Sequence, residues 1–140
     1  IPELPKALAN YVPYKIVGKT MYISGQAPVQ NGELIYKGKV GSDITIEDGI
    51  EAARLCVINI IAAVKTGLEG DWGKLDSFVK LTGFVNCQDD FTDQPKIING
   101  ASDMLVEIFG DQGRHARVAV GSNALPLGIS VEIDAIVQLK

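Results

Sequence analysis

The closing stretch ARVAVGSNALPLGISVEIDAIV contains two strand-like segments that are apolar on both faces. In a strand, successive side chains point to opposite sides. Val118 and Val120 therefore oppose Ala119, and Val131, Ile133, Ala135 and Val137 oppose Ile136. A sheet of such strands wants cover on both sides. The rest of the chain supplies helical patterns for only one of them. The uncovered face must meet water or another subunit, and its apolar content predicts an oligomer in which sheets pack on sheets.

The helical patterns are clear. In TIEDGIEAARLCVINIIAAVKTGLEG, residues Ile46, Ile50, Ala53, Val57, Ile60 and Val64 recur at alternating spacings of four and three, which makes one helix face. Thr45 is a suitable N-cap, with Glu47 and Asp48 in the first turn. Lys65 lies in the last turn, and Gly67 suits a left-handed C-terminal position. Leu55, Ile58 and Ala62 fall off the stripe, so a second side of this helix is expected to touch something. A second helix is expected in DQPKIINGASDMLVEIFG, with Pro95 in its first turn, a stripe of Ile97, Ala101, Leu105 and Ile108, and Gly110 as terminator.

Around these helices the sequence reads as strands. YKIVGKTMYISG gives two strands about a Gly-Lys turn, the second running from about Thr20 to Ser24 and ending at Gly25. NGELIYKGKVG is turn-rich, with a short strand near Leu34 to Tyr36. KLDSFVKLTGFVNC forms another strand, and the closing stretch supplies the last two. Residues 1–13 carry three prolines and read as an extended arm. The whole, residues 1–140, is expected to be one α+β domain with both helices on one sheet face.

Composition removes several functions. Net charge is −4 and no Lys/Arg run is present, so the footprint of a nucleic-acid binder is missing. No apolar stretch reaches the roughly 18 residues of a membrane span. Cys56 and Cys87 sit in apolar helix and strand patterns, and with no secretory pattern at the start they are expected to be free thiols of a cytoplasmic protein. With a single histidine, His115, a His/Cys metal site is not expected.

Two residues break the apolar pattern of the closing strands. Arg117 stands at the start of the first, and Glu132 lies inside the second. Each has a bland reading: an edge arginine lifting its head to water, and a glutamate on the exposed side of a half-buried strand. The functional reading is an anion clamp, because a guanidinium presents a planar fork to a carboxylate. A hairpin through Leu125-Pro126 would bring the two onto neighbouring strands.

Ser24-Gly25-Gln26, Ala116-Arg117 with Leu125-Pro126, and Val131-Glu132-Ile133, in that order, resemble the motifs of the Rid/YjgF family of reactive-intermediate deaminases. The resemblance covers nearly the whole chain after residue 10. Extra residues after Phe91, ahead of the second helix, point to a longer-chain subgroup. It implies a chorismate-mutase-like fold and a homotrimer whose sheets form a central barrel, with clefts between subunits. It also implies hydrolysis of 2-imino acids, or their enamine tautomers, to 2-oxo acids and ammonia, without cofactor or metal. By position, Arg117 would grip the substrate carboxylate and Glu132 would manage the attacking water. The backbone at Gly25 and Ala119 would orient substrate and water. Tyr11 and Ser24 would shape the pocket, and Asn99 matches a polar position on the second helix. Ala119 stands where many members have cysteine, so a thiol role is lost while a backbone role survives. His115 stands where members often carry proline and is expected to be a rim or structural residue.

Two other functions remain open from sequence. A trimer that captures a small carboxylate without turning it over would use the same Arg117. An endoribonuclease activity, attributed to some relatives, is opposed by the acidic charge, the single histidine and the missing basic patch.

Overall fold

The computed structural model describes residues 1–4 and 9–140. The arm expected over 1–13 therefore falls partly outside the described residues. Among those described, the chain runs β1 (Tyr14–Val17), β2 (Thr20–Gln26), β3 (Val29–Gln30), β4 (Glu33–Leu34), α1 (Ile46–Gly67), β5 (Leu75–Asn86), α2 (Gln94–Phe109), β6 (Ala116–Ser122) and β7 (Val131–Leu139). A five-stranded sheet has the order β1-β2-β7-β5-β6. Only the β5–β6 pair is parallel. Both helices pack on one face of this mixed sheet, as the patterning required.

Thr45 caps α1 as expected, its side chain accepting from the Asp48 amide at 3.1 Å. Ala53, Val57, Ile60 and Val64 of the stripe are buried, and so are Ala52, Cys56 and Ala63 beside them. The second side of α1 also finds a partner. Asn59 donates from Nδ2 to the carbonyls of Ala27 and Val29, each at 3.1 Å, and so ties the helix to the β2–β3 turn. Two details differ from expectation. Gly67 is still helical, and the left-handed positions after α1 are Glu69 and Gly70. What requires a glycine at 67 is proximity: a Cβ there would run into the Met21 side chain. In α2, Ile97, Ala101 and Leu105 are buried but Ile108 is exposed, and Gly110 ends the helix at φ 62°. Gly100 brings the helices together, since a Cβ at that position would strike the Ile50 carbonyl.

The turn-rich stretch is a two-residue β3–β4 ladder closed by Asn31 and Gly32, both at positive φ. Strand there ends at Leu34, short of the expected Tyr36, whose backbone is left-handed. β2 runs past Gly25 to Gln26, with an irregularity between Ile23 and Gln26. Helix α2 starts at Gln94, so only Thr92 and Asp93 separate it from Phe91, a shorter link than the resemblance suggested.

The largest correction concerns the closing strands. They do not form a hairpin, because β5 lies between β6 and β7. The link from Asn123 to Ser130 steps over the end of β5 instead. It is pinned there by Cys87 N–H to the Ser122 carbonyl at 3.0 Å, Asn86 N–H to the Ser130 carbonyl at 2.8 Å, and Asn86 Nδ2 to the Ile129 carbonyl at 3.0 Å. Proline and a left-handed Leu127 shape the link into a short 3₁₀ turn rather than a hairpin turn. The buried amide of Asn86 thus fixes a connection that local sequence leaves open.

On β7, Val131, Ile133, Ala135 and Val137 are buried against the helices, while Glu132, Asp134 and Ile136 face the other way. This second face also carries Phe84, Val118 and Val120, and Tyr22 opposite Ile136. Tyr22, Val118 and Val120 are exposed large apolar residues within the chain. Cys56 and Cys87 are both free and buried. No helix among the described residues is long and apolar enough to cross a membrane.

Candidate functional site

The register places Arg117 opposite Leu81 and Glu132 opposite Phe84. Leu81 points into the helix-covered core, and Phe84 points to the open face. Arg117 and Glu132 therefore lie on opposite faces of the sheet, two strands apart. Each gathers its own group of the residues singled out from sequence.

On the helix side, Arg117 reaches across from β6 to α2. Its Nη1 donates to Asn99 Oδ1 at 2.8 Å and to Ser102 Oγ at 3.2 Å, and Nη2 points to the Pro95 carbonyl at 3.5 Å. Asn99 and Ser102, three apart on α2, share one helix flank. Both Nη1 hydrogens are thus engaged. The Nε–H and the adjacent Nη2–H form the edge that matches a carboxylate side-on. Ala119 follows two residues along the same face, opposite Gly83, where α2 approaches so closely that a Cβ on Gly83 would lie 2.6 Å from Ile98 Cδ1.

Ser102 has a second partner. Its hydroxyl lies 2.8 Å from His115 Nε2, and His115 Nδ1 lies 2.6 Å from the Gly113 carbonyl. Ser102 and His115 also border a shallow recess of about 270 Å³ together with Val106, Arg114 and Arg117. Ser102 escaped the reading of the sequence because a lone serine in a helix carries no signal. Its spacing from Asn99 was the available clue.

On the open face, Glu132 meets Gly25. A Cβ on Gly25 would lie 3.0 Å from Glu132 Cδ and closer still to Oε2, so the carboxylate rests against bare backbone. Partial burial raises the Glu132 carboxyl above the ordinary carboxylate range, and the neighbouring Asp134 raises it further. Asp134 is itself raised by burial, against the opposing pull of a hydrogen bond from Thr82 and the charge of Lys80. Ser24 donates from Oγ to the Val12 carbonyl at 2.6 Å and so fastens the segment after Tyr11 to β2. Tyr11 is half exposed near this end of the molecule. Among the described residues, no group of three His, Cys, Asp or Glu is placed to hold a metal.

A mixed sheet with both helices on one face and large apolar side chains exposed on the other is the architecture of a class of small α+β proteins. Comparison with known proteins places the chain within that class. Residues 1–137 match the family described as "YjgF/chorismate_mutase-like, putative endoribonuclease", and the chain belongs to this family. It is similar to protein TCP17 of Trypanosoma cruzi, with 40% identity over 99% of this chain and 88% of that one. Among solved structures it is similar to Atu1372 of Agrobacterium tumefaciens, a protein described as of unknown function. Identity there is 47% over 98% of this chain and 86% of that chain, with a TM-score of 0.93. A Shewanella oneidensis protein titled a putative endoribonuclease has a TM-score of 0.94 and 38% identity, over 99% of this chain and 91% of that chain.

Proposed function

We propose that this protein hydrolyses reactive 2-imino acids to 2-oxo acids and ammonia in clefts shared between subunits of a homotrimer. The observation that carries the reading is the buttressed Arg117. Asn99 and Ser102 hold Nη1, Nη2 makes only a long contact with the Pro95 carbonyl, and Nε–H has no protein acceptor among the described residues. An arginine merely lifting its charge to water would not need two partners on a helix.

Because Glu132 lies on the opposite sheet face, the cleft would pair Arg117 of one subunit with Glu132 of another. The exposed apolar face around Val118, Val120 and Tyr22 supports such an assembly. In the reaction, Arg117 binds the substrate carboxylate. Glu132, as carboxylate, takes a proton from water as the water oxygen bonds to C2 of the imine. Glu132 passes that proton to the imine nitrogen to give the amino alcohol; the hydroxyl proton then moves, again through Glu132, to the amino nitrogen as the C–N bond breaks, so that ammonia leaves and the C=O of the 2-oxo acid forms. Burial raises the proton affinity of the Glu132 carboxylate, which suits it to take up a proton and hand it on.

The test generates imines with an amino-acid oxidase and follows 2-oxo acid release with and without the protein. Arg117→Ala and Glu132→Gln are each expected to be inactive. Mixed trimers of the two should regain part of the activity, because some clefts then combine an intact Arg117 with an intact Glu132. Wild type that binds 2-oxo acids yet accelerates no imine hydrolysis would instead indicate a carboxylate-binding protein. Mixed trimers as inactive as the parents would remove the shared cleft.

A further inference from the structure

We propose that His115 is a positioning residue that acts through Ser102 to hold Arg117 in its clamping pose. The proposal rests on the reading of Arg117 as the carboxylate clamp and extends it to residues that do not touch the ligand.

A carbonyl oxygen can only accept, so the 2.6 Å contact with Gly113 places a hydrogen on His115 Nδ1. In the neutral ring Nε2 then carries a lone pair, and at 2.8 Å it accepts from the Ser102 hydroxyl. That directs the single Ser102 hydrogen toward His115. The oxygen's lone pairs are left to face Arg117 Nη1, 3.2 Å away. Without His115 the hydroxyl is free to rotate, and part of the time its hydrogen opposes the guanidinium. The chain from Gly113 through His115 and Ser102 to Arg117 thus begins at the turn after α2 and ends at the clamp. The surrounding charges do not replace it. Arg114, which shares the recess, is paired with Asp111 at 3.1 Å and carries the same sign as Arg117.

Binding of 2-oxobutanoate by calorimetry and the rotation rate of the Arg117 Nη groups by ¹⁵N NMR test this together. Loss of a hydrogen bond to a charged group weakens an interaction by about tenfold or more. Ser102→Ala is therefore expected to reduce affinity about tenfold and to speed rotation about Cζ–Nη1. His115→Ala should change both in the same direction, by about threefold. His115→Gln, which keeps an acceptor near the position of Nε2, should restore both.

The discriminating measurement is the double variant. If His115 acts through Ser102, adding His115→Ala to Ser102→Ala changes nothing further, whereas a histidine that only secures the Gly113 turn gives additive losses. Additive losses, or unchanged Arg117 rotation in His115→Ala, would overturn the proposal. Wild type that fails to bind 2-oxobutanoate while its Arg117 rotation still responds to His115 and Ser102 would overturn the clamp and leave the positioning intact. Melting temperatures of all variants identify any that are misfolded, and His115→Gln then carries the comparison.

Discussion

Gly25→Ala is the sharpest probe of the carboxylate half-site, because one methyl group reaches the Glu132 side chain. The glycine is not among those at positive φ, so alanine fits the backbone. A Cβ would stand 3.0 Å from Glu132 Cδ and 3.2 Å from Cγ. Comfortable carbon–carbon contact is about 3.5–4.0 Å, so the carboxyl group must retreat by roughly 0.5–1 Å. A misplacement of about 1 Å in a reacting constellation can cost about 10²-fold. Imine hydrolysis by Gly25→Ala is therefore expected to fall by about 10–100-fold in the coupled 2-oxo acid assay. The ceiling is set by Glu132→Gln, where loss of a general base costs about 10²–10⁴-fold. Stability should move the other way or not at all. The group displaced is the flexible end of a side chain, and exchanging glycine for alanine at a compatible backbone position stabilises by about 0.4–1 kcal/mol. Both substitutions act on the same carboxylate, so the double variant should be no slower than Glu132→Gln alone. Gly25→Ala with the full wild-type rate, or a double variant with multiplied losses, would refute the placement of Glu132 at the reaction.

Arg117→Ala should weaken 2-oxo acid binding by about 30-fold or more, since truncating one partner of a hydrogen-bonded charge pair costs about 2–5 kcal/mol. Arg117→Lys should restore it only in part, because an ammonium lacks the planar fork; calorimetry decides. Light scattering at micromolar concentration should give three times the chain mass of 15.0 kDa, and a monomer would remove the shared cleft. Cys56 and Cys87 should both react with a thiol reagent after unfolding without reductant, and neither should react in the native protein, where both are buried. Glu132→Gln should raise the melting temperature at about pH 7 more than at about pH 4. The folded protein holds the Glu132 proton more tightly than the unfolded chain does, so ionisation costs stability above the raised value. That cost vanishes as pH falls below the ordinary carboxylate range.

Periodicity carried the helices and the one-sided layering, because burial repeats every few residues along the chain. Thr45, Ala53, Val57 and Ile60 needed nothing beyond their spacing to be placed. The order of the sheet was not legible in the same way. β6 and β7 do not pair because β5, distant in sequence, pairs with both, and its Asn86 anchors the link as it passes over. Local strand patterns contain no record of that contact. The candidate site divided similarly. Arg117 and Glu132 stood out because charge interrupts apolar strands, and Gly25 and Asn99 came from the family resemblance. Ser102 was invisible because its role depends on two partners from outside its own helix.

The opposed faces of Arg117 and Glu132 follow from the sheet order. Inserting β5 between β6 and β7 fixes the two registers through one strand, Leu81 for the arginine and Phe84 for the glutamate. Those positions differ by an odd number of residues, so alternation alone sends the two side chains to opposite sides. No rotamer change within one chain can reverse this, and a one-residue slip would expose the buried set of Val131, Ile133 and Ala135. A cleft using both groups must therefore be completed by a second copy. The same open face that carries Glu132 carries Val118, Val120 and Tyr22. Burying those residues would draw the copies together, and assembly would also remove Glu132 further from water and strengthen the basicity that the proposed hydrolysis calls for.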